Sequence, residues 1–382
     1  MINQATSTTY PSVATTRWLR WINLAFMLYL LLLAVAMVGS GFKWSAGEQA
    51  KALFTFASHP IAGLMIGLVA TALIQSSSTV TSIIVGLVAG GLPVEIAIPM
   101  VMGANIGTTV TNTLVSLGHA HCKDEFKRAF ASATIHDFFN LLAVLIFLPL
   151  EMMFGILEKI SYWLVSPLMS TGNMSMKGLD FIGPITKPIV GGLQTQLGVF
   201  GNVWGGVAMI VLGITTIFLA ILVMGRLMKT LMVGQARDIL KSAIGRGPLH
   251  GIASGTVVTV LVQSSSTTTT LIVPLVGSGV LKVRDIYPFT LGANIGTCVT
   301  ALLAATAVSG EFAVFALQIA LVHLVFNLMA TLLIFGIPFL REIPLKGADW
   351  ISDCAIKNKA AVAAYLLAVF VVLPGSILTL TT

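Results

Sequence analysis

The sequence predicts an all-α polytopic membrane protein made of two inverted-topology repeats, each with a re-entrant helical hairpin and a broken helix. Three observations carry that reading. The 382 residues are 56% hydrophobic and only 9% charged, with a mean hydropathy of +0.96. A soluble domain carries about 25% charged residues. One polar stretch then occurs twice inside apolar runs, as Gln75-Ser76-Ser77-Ser78-Thr79 and as Gln263-Ser264-Ser265-Ser266-Thr267. The separation of paired features is also nearly constant. Gln75 to Gln263 is 188 positions, Asn105 to Asn294 is 189, and Asn140 to Asn327 is 187. Gly63, Gly67 and Thr71 match Gly251, Gly255 and Thr259 at 188. Such regularity is duplication.

Residues 1–20 read as an N-terminal cytoplasmic segment. They are polar to residue 16, carry no signal-peptide pattern, and place Arg17 and Arg20 before the first span. Repeat unit 1 covers 21–150. Its first span, about 21–41, is too long for a signal h-region, and residues 42–58 read as interfacial. The hairpin at 61–92 follows. Each of its arms is some fourteen residues, about 20 Å as helix, and a bilayer core needs about 20 residues. Neither arm crosses alone, so the serines belong at the tip of a re-entrant loop. A helix over 95–117 carries Gly103-Ala104-Asn105-Ile106-Gly107-Thr108-Thr109. A span over 129–150 carries His136, Asp137 and Asn140.

Residues 151–203 hold Pro167, Pro184 and Pro188 and read as an outer loop with short helical pieces. Repeat unit 2 covers 204–340. Its first span, 204–225, leads into Arg226, Lys229, Arg237, Lys241 and Arg246 against one acid, Asp238, which marks a cytoplasmic loop. The second hairpin is 249–281. The helix at 285–307 carries Gly292-Ala293-Asn294-Ile295-Gly296-Thr297-Cys298, and the span at 312–340 carries His323 and Asn327. Residues 341–382 are a loop and a C-terminal transmembrane helix. Seven crossings result, with the C-terminus outside. Three crossings per unit are odd, so unit 2 inserts upside down relative to unit 1, the architecture of secondary transporters.

The excess of seven positive charges sits in loops and reports topology, not a nucleic-acid partner. Cys122, Cys298 and Cys354 are too few and too far apart for a disulfide framework. His59 and His250 read as interfacial, His136 and His323 as inter-helix hydrogen-bonding groups, and the sixteen methionines as lipid-facing or core residues.

Each hairpin tip places a helix N-terminus in mid-membrane, with free N–H groups and about half a positive charge. Such an end suits an anion, and Ser caps it well. Asn105, Thr108, Asn294 and Thr297 add donors and acceptors of the same kind. Thr108 shares a helix face with Thr111, and Thr297 with Thr300. Hydroxyl, amide and carbonyl oxygens suit a hard cation such as sodium. There is no Lys or Arg over 52–122, 247–281 or 285–340. A multiply charged anion bound there needs cations beside it, which is a physical rationale for cation-coupled symport. Asp137 is the one acid deep in a span and a functional candidate on that ground. The second unit has Leu324 in its place.

The doubled Gln-Ser-Ser-Ser, the doubled Gly-Ala-Asn-Ile-Gly-Thr and the His136-Asp137-Phe138-Phe139-Asn140 run together resemble the type II sodium-dependent phosphate cotransporter family. The resemblance covers about 55–150 and 245–340. It implies sodium-coupled uptake of inorganic phosphate, chiefly the divalent form, by alternating access. Carried onto this chain, it lines the phosphate site with Gln75, Ser76, Ser77 and Ser78, and with Ser264, Ser265 and Ser266. Asn105, Thr108 and Asn294 stand beside them. It implies a sodium site at Gln263, Ser264, Thr297 and Thr300, with a further sodium near Asp137 and Asn140. Thr111 is the counterpart of Thr300 in the first unit. Asp137 matches the aspartate of electrogenic members. Ala293 stands where the family has a serine. The short, cysteine-free 151–203 region implies a bacterial-type member in the inner membrane. The expected partners are phosphate, sodium, the lipid bilayer and a second copy in a homodimer, with no cofactor beyond co-transported sodium. Three other readings start from the same residues: a symporter of sulfate or a dicarboxylate, a passive anion channel, and an intramembrane enzyme. The last lacks any Ser-His-Asp or metal-ligand spacing.

Overall fold

The structure is a computed structural model that describes residues 13–46, 59–170, 183–243, 246–310, 312–358 and 360–381. The interfacial segment expected at 42–58 lies mostly outside these residues. The described chain is helical throughout, and seven of its helices are long and apolar enough to cross a membrane. They are Trp18–Ser45, Val94–His119, Lys123–Phe154, Gly183–Met228, Val283–Ala305, Ala313–Phe335 and Ala360–Thr379. Large apolar side chains such as Leu73, Leu145 and Leu332 are exposed on the outside, where only lipid makes them favourable. This is a multi-pass membrane protein.

In chain order, α1 is Val13–Ala46. The first hairpin is α2 (Pro60–Ile74) and α3 (Ser77–Ala89). Then come α4 (Val94–Ile106), a 3₁₀ turn at Gly107–Thr109 and α5 (Val110–Ser116). The long α6 is Lys123–Phe154, and α7 is Ile156–Ser170. α8 (Gly183–Leu197) leads into α9 (Gly201–Ala243). The second hairpin is α10 (Pro248–Val262), α11 (Ser265–Thr270) and α12 (Val273–Gly277). α13 is Val283–Thr306, and α14 is Ala313–Ala330 with a π turn at Thr331–Phe335. α15 (Pro338–Lys357), α16 (Ala360–Leu367) and α17 (Leu373–Thr381) end the chain.

Three local differences from the sequence reading have physical causes. The first Gly-Ala-Asn-Ile-Gly helix is broken at Gly107, but the second runs unbroken through α13. The first continues Thr-Thr-Val-Thr-Asn-Thr, a run of β-branched residues whose hydroxyls turn back to backbone carbonyls. The second passes through Thr297-Cys298-Val299-Thr300 into Ala301-Leu302-Leu303-Ala304-Ala305, strong helix formers where the first has Asn112 and Thr113. The return arm of the second hairpin is interrupted before Pro274, which opens α12. And the 151–203 region holds two fifteen-residue helices, α7 and α8. Pro184 sits in the first turn of α8, where no N–H is needed.

The outgoing arm of each hairpin lies against the Gly-Ala-Asn-Ile-Gly helix that follows it, backbone on backbone. A methyl group on Gly67 would overlap the Met100 carbonyl, and one on Gly103 the Leu64 carbonyl. In the second half the same holds for Gly255 against Phe289 and Gly292 against Ile252. Without a hydrophobic drive between helices in lipid, such close approach is a main source of cohesion.

The two hairpin mouths lie at opposite ends of α6. Gly91, at the mouth of the first, faces the Phe312 ring at the start of α14. Gln318 in that helix donates to the Glu158 carbonyl, just past the end of α6. Gly277, at the mouth of the second, accepts a 2.9 Å hydrogen bond from Arg128 Nε at the start of α6. The 32 residues of α6 span about 48 Å.

Gly103→Ala and Gly292→Ala should each destabilise the fold by about 3 kcal/mol, the upper end of overpacking costs. Thermal unfolding in detergent checks this. Gly118→Ala, with open space around it, should leave the midpoint unchanged.

Candidate functional site: the two serine tips

Each tip is a two-residue turn. Gln75 ends α2 in the left-handed region (φ 59°, ψ 27°), and Gln263 ends α10 in the same way (φ 56°, ψ 27°). They are the only non-glycine residues with positive φ among those described. Each pays part of that strain back through hydrogen bonds. The Gln75 amide donates to the Thr71 carbonyl at 2.8 Å, and Gln263 to Thr259 at 2.7 Å. Their side-chain amides fold back onto the Ala72 and Val260 carbonyls. The next residue is extended and caps the return arm. Ser76 Oγ accepts from the Thr79 amide at 3.2 Å, and Ser264 Oγ from the Thr267 amide at 3.1 Å. The amides of Ser77, Ser78, Ser265 and Ser266 occupy the first turn of each arm and have no partner within their own helix. All four residues are buried.

Both tips converge on the turn around Thr108–Asn112. From the first tip, Gln75 Oε1 accepts from Thr111 at 2.5 Å. From the second, Ser266 Oγ donates to the Thr108 carbonyl at 3.2 Å. Asn112 Nδ2 donates to Thr269 Oγ1 at 2.8 Å, and Thr270 donates to Asn112 Oδ1 at 2.8 Å. The counterpart of the Gln75–Thr111 bond is Thr300 to Gln263 Oε1 at 3.1 Å. Thr108 and Thr297 turn their hydroxyls back onto the Ala104 and Ala293 carbonyls. Asn112, Thr269 and Thr270 were not singled out by the sequence reading. Their signal was present, since Asn112 extends the polar run from Thr108 and the Thr267–Thr270 run abuts the second island.

A second polar layer crosses between the halves. Asn105 Oδ1 accepts from His323 Nε2 at 3.0 Å, and Asn105 Nδ2 donates to Asn327 at 2.9 Å. Its mirror is Asn294, with His136 Nε2 at 2.5 Å on Oδ1 and Asn140 at 2.8 Å on Nδ2. Asn140 also donates to the Asn105 carbonyl at 2.8 Å. The two histidines therefore make the inter-helix bonds expected of them. Each joins the Asn of the other half, and all six residues are buried. Asn105 and Asn294 thus have their side-chain amides engaged by protein, and any part they take in binding falls first to their backbone.

Asp137 stands apart from this layer. Its Oδ2 accepts a 2.8 Å hydrogen bond from Tyr365 of α16, and its fully buried Oδ1 has no partner among the described residues. Tyr365 was invisible to sequence reasoning, because nothing links position 365 to position 137 before folding.

Chemically, the tips offer hydroxyls, amide carbonyls and free backbone N–H groups. No group of His, Cys, Asp and Glu fit for a transition metal occurs among the described residues. Neutral oxygen donors of this kind suit a hard cation, and unpaired N–H groups at helix starts suit an oxyanion.

Double-mutant cycles test the crossed layer. His323→Ala with Asn105→Ala, and His136→Ala with Asn294→Ala, should each show coupling of about 1–3 kcal/mol in unfolding free energy. A cycle pairing His323 with Asn294 should give a much smaller term.

Comparison with known proteins agrees with this architecture. The family model Na+/Pi-cotransporter matches residues 30–183 and 216–340. The rat sodium-dependent phosphate transport protein 2A is 32% identical over 417 residues, covering 91% of this chain and 65% of the rat protein. The human sodium-dependent phosphate transport protein 2B is 30% identical over 452 residues, covering 95% of this chain and 65% of its own length. The chain thus spans a little under two thirds of these relatives. No solved structure matches it. With the family model covering both hairpins and the helices that join them, the chain belongs to the Na+/Pi-cotransporter family.

Proposed function

We propose that this chain is a sodium-coupled symporter of inorganic phosphate, chiefly the divalent form, working by alternating access in a bacterial inner membrane. One observation carries the reading. Two buried helix starts, from hairpins that enter at opposite ends of the bundle, converge on one turn, and the stretches that form them contain no lysine or arginine. A divalent anion held there receives only fractional charge from the helix ends. The rest of its charge needs cations in the same site, which makes binding of one depend on the other.

In this reading Ser76, Ser77, Ser78, Ser264 and Ser265 present hydroxyls to the phosphate oxygens, together with the free first-turn amides of Ser77, Ser78, Ser265 and Ser266. Ser266 closes the site by donating its hydroxyl to the Thr108 carbonyl. The paired oxygens of Gln263 and Thr300, and of Gln75 and Thr111, supply sodium ligands, with Ser264 and Thr297 beside the first pair. Asp137 and Asn140 add a third cation position, where the orphaned Asp137 Oδ1 is the donor. That buried carboxylate makes transport electrogenic, because a sodium bound there moves charge beyond what the phosphate cancels. The names of the relatives support sodium and phosphate as the solutes.

Purified protein in liposomes tests this directly. Uptake of labelled phosphate should require an inward sodium gradient and carry current. Uptake that proceeds equally in choline would overturn the symport reading. Ser265→Ala should lower kcat/KM for phosphate about tenfold, the scale of one hydrogen bond to a charged group. Asp137→Gly should reduce or abolish the net charge moved per phosphate, and an unchanged ratio removes Asp137 from the mechanism.

A further inference from the structure

A cavity of about 360 Å³ lies at the end of the bundle that carries the second hairpin's mouth, away from the serine tips. It is formed where the starts of α10 and α13 meet the start of α15. Gly247, Pro248, Arg284, Asp285, Tyr287 and Arg341 line it.

Two of its polar groups are unspent. Tyr287 is 1% exposed, yet its buried hydroxyl has no hydrogen-bond partner among the described residues. A buried hydroxyl without a partner costs about 1–3 kcal/mol, so this one calls for an acceptor. Arg341 Nε is buried and equally without an acceptor. Its guanidinium is held 5.3 Å over the Phe335 ring, and that ring packs edge-on to Tyr287 at 5.4 Å. The π turn at Thr331–Phe335 places Phe335 between the two. The third contribution is the start of α10. Gly247 precedes it with no side-chain cap, and Pro248, Leu249 and His250 are exposed. The free amides of Leu249 and His250 therefore point out of the helix at its positive end.

Charge alone does not select the ligand. Arg284 is paired with Glu342 at 2.7 Å and holds that carboxyl below its usual range. Asp285 also lines the cavity and brings a negative charge to it. What remains is directional, with an O–H and a guanidinium N–H that both lack acceptors, beside the uncapped start of α10 at Gly247 and Pro248. A compact group with several acceptor oxygens satisfies these together, and a carboxylate or halide satisfies fewer. Arginine and helix starts are the usual partners of phosphate.

We infer that this cavity is a second anion site, separate from the serine tips, that binds a phosphate group at the basic end of the molecule. The group is either inorganic phosphate or the headgroup of an anionic phospholipid. Because it uses arginine, this site needs no sodium, which distinguishes it from the proposed transport site.

The test uses the full chain in nanodiscs of phosphatidylcholine alone, or with phosphatidylglycerol, in sodium-free buffer. Labelled inorganic phosphate is titrated in the first, and retained phosphatidylglycerol is measured by native mass spectrometry in the second. Binding of either probe, weakened about tenfold in Arg341→Gln and in Tyr287→Phe, supports the site and shows which source supplies the group. Tyr287→Phe keeps the packing and serves if Arg341→Gln fails to fold. Neither probe binding, or binding unchanged in Tyr287→Phe, overturns the inference. Sodium-free phosphate binding lost in Ser265→Ala but kept in both cavity variants would assign it to the serine tips. That result would contradict the inference and the cation requirement of the transport site separately from each other.

Discussion

The whole arrangement depends on ending a helix in the middle of a membrane without stranding its backbone. In hydrocarbon each unsatisfied N–H or C=O costs several kcal/mol. The Gln-Ser turn solves this in two residues. The glutamine enters the left-handed region and returns both its backbone and side-chain N–H groups to the last turn of the incoming arm. The serine becomes extended and caps the outgoing arm. A glycine would adopt the glutamine conformation more cheaply, but it would forfeit the Oε1 that reaches Thr111 or Thr300. The strain is retained because the side chain ties the tip to the neighbouring helix.

What the turn leaves unpaired is as consequential as what it pairs. The first amides of α3 and α11 have no helical acceptor, and beside them the second hairpin bonds the Thr108–Asn112 turn through Ser266, Thr269 and Thr270. Around that centre, the Asn–His–Asn layer closes every side-chain amide of Asn105 and Asn294 against the other half. One polar layer has its asparagine side chains engaged, with only the buried Nδ1 of His136 and of His323 lacking a partner among the described residues, and the other leaves first-turn amides without a helical acceptor.

Much of this was legible in the sequence. Polar islands in apolar arms too short to cross required re-entrant tips, and the structure has a turn at each glutamine. The duplicated spacing paired His136 with His323 correctly in role. The partners were not legible, because they come from the other half. Asn105 meets His323 across 218 positions, and Asp137 meets Tyr365 across 228. The unequal fate of the two Gly-Ala-Asn-Ile-Gly helices was readable only weakly, because both continue with β-branched residues and differ first at Thr109 against Cys298 and then at Asn112-Thr113 against Ala301-Leu302. The proline-bearing 151–203 region is more helical than its prolines suggest: Pro184 falls in the first turn of α8, while α7 and α8 continue through Pro167 and Pro188.

In the proposed mechanism the anion and its cations share one site because the stretches that form it hold no lysine or arginine to substitute for them. Equilibrium binding of labelled sodium to the purified protein, with and without phosphate, tests it most directly. Linkage requires the two affinities to rise by the same factor, expected to be about 5- to 150-fold, the usual range for coupled sites. Sodium affinity that is unchanged by saturating phosphate would contradict it.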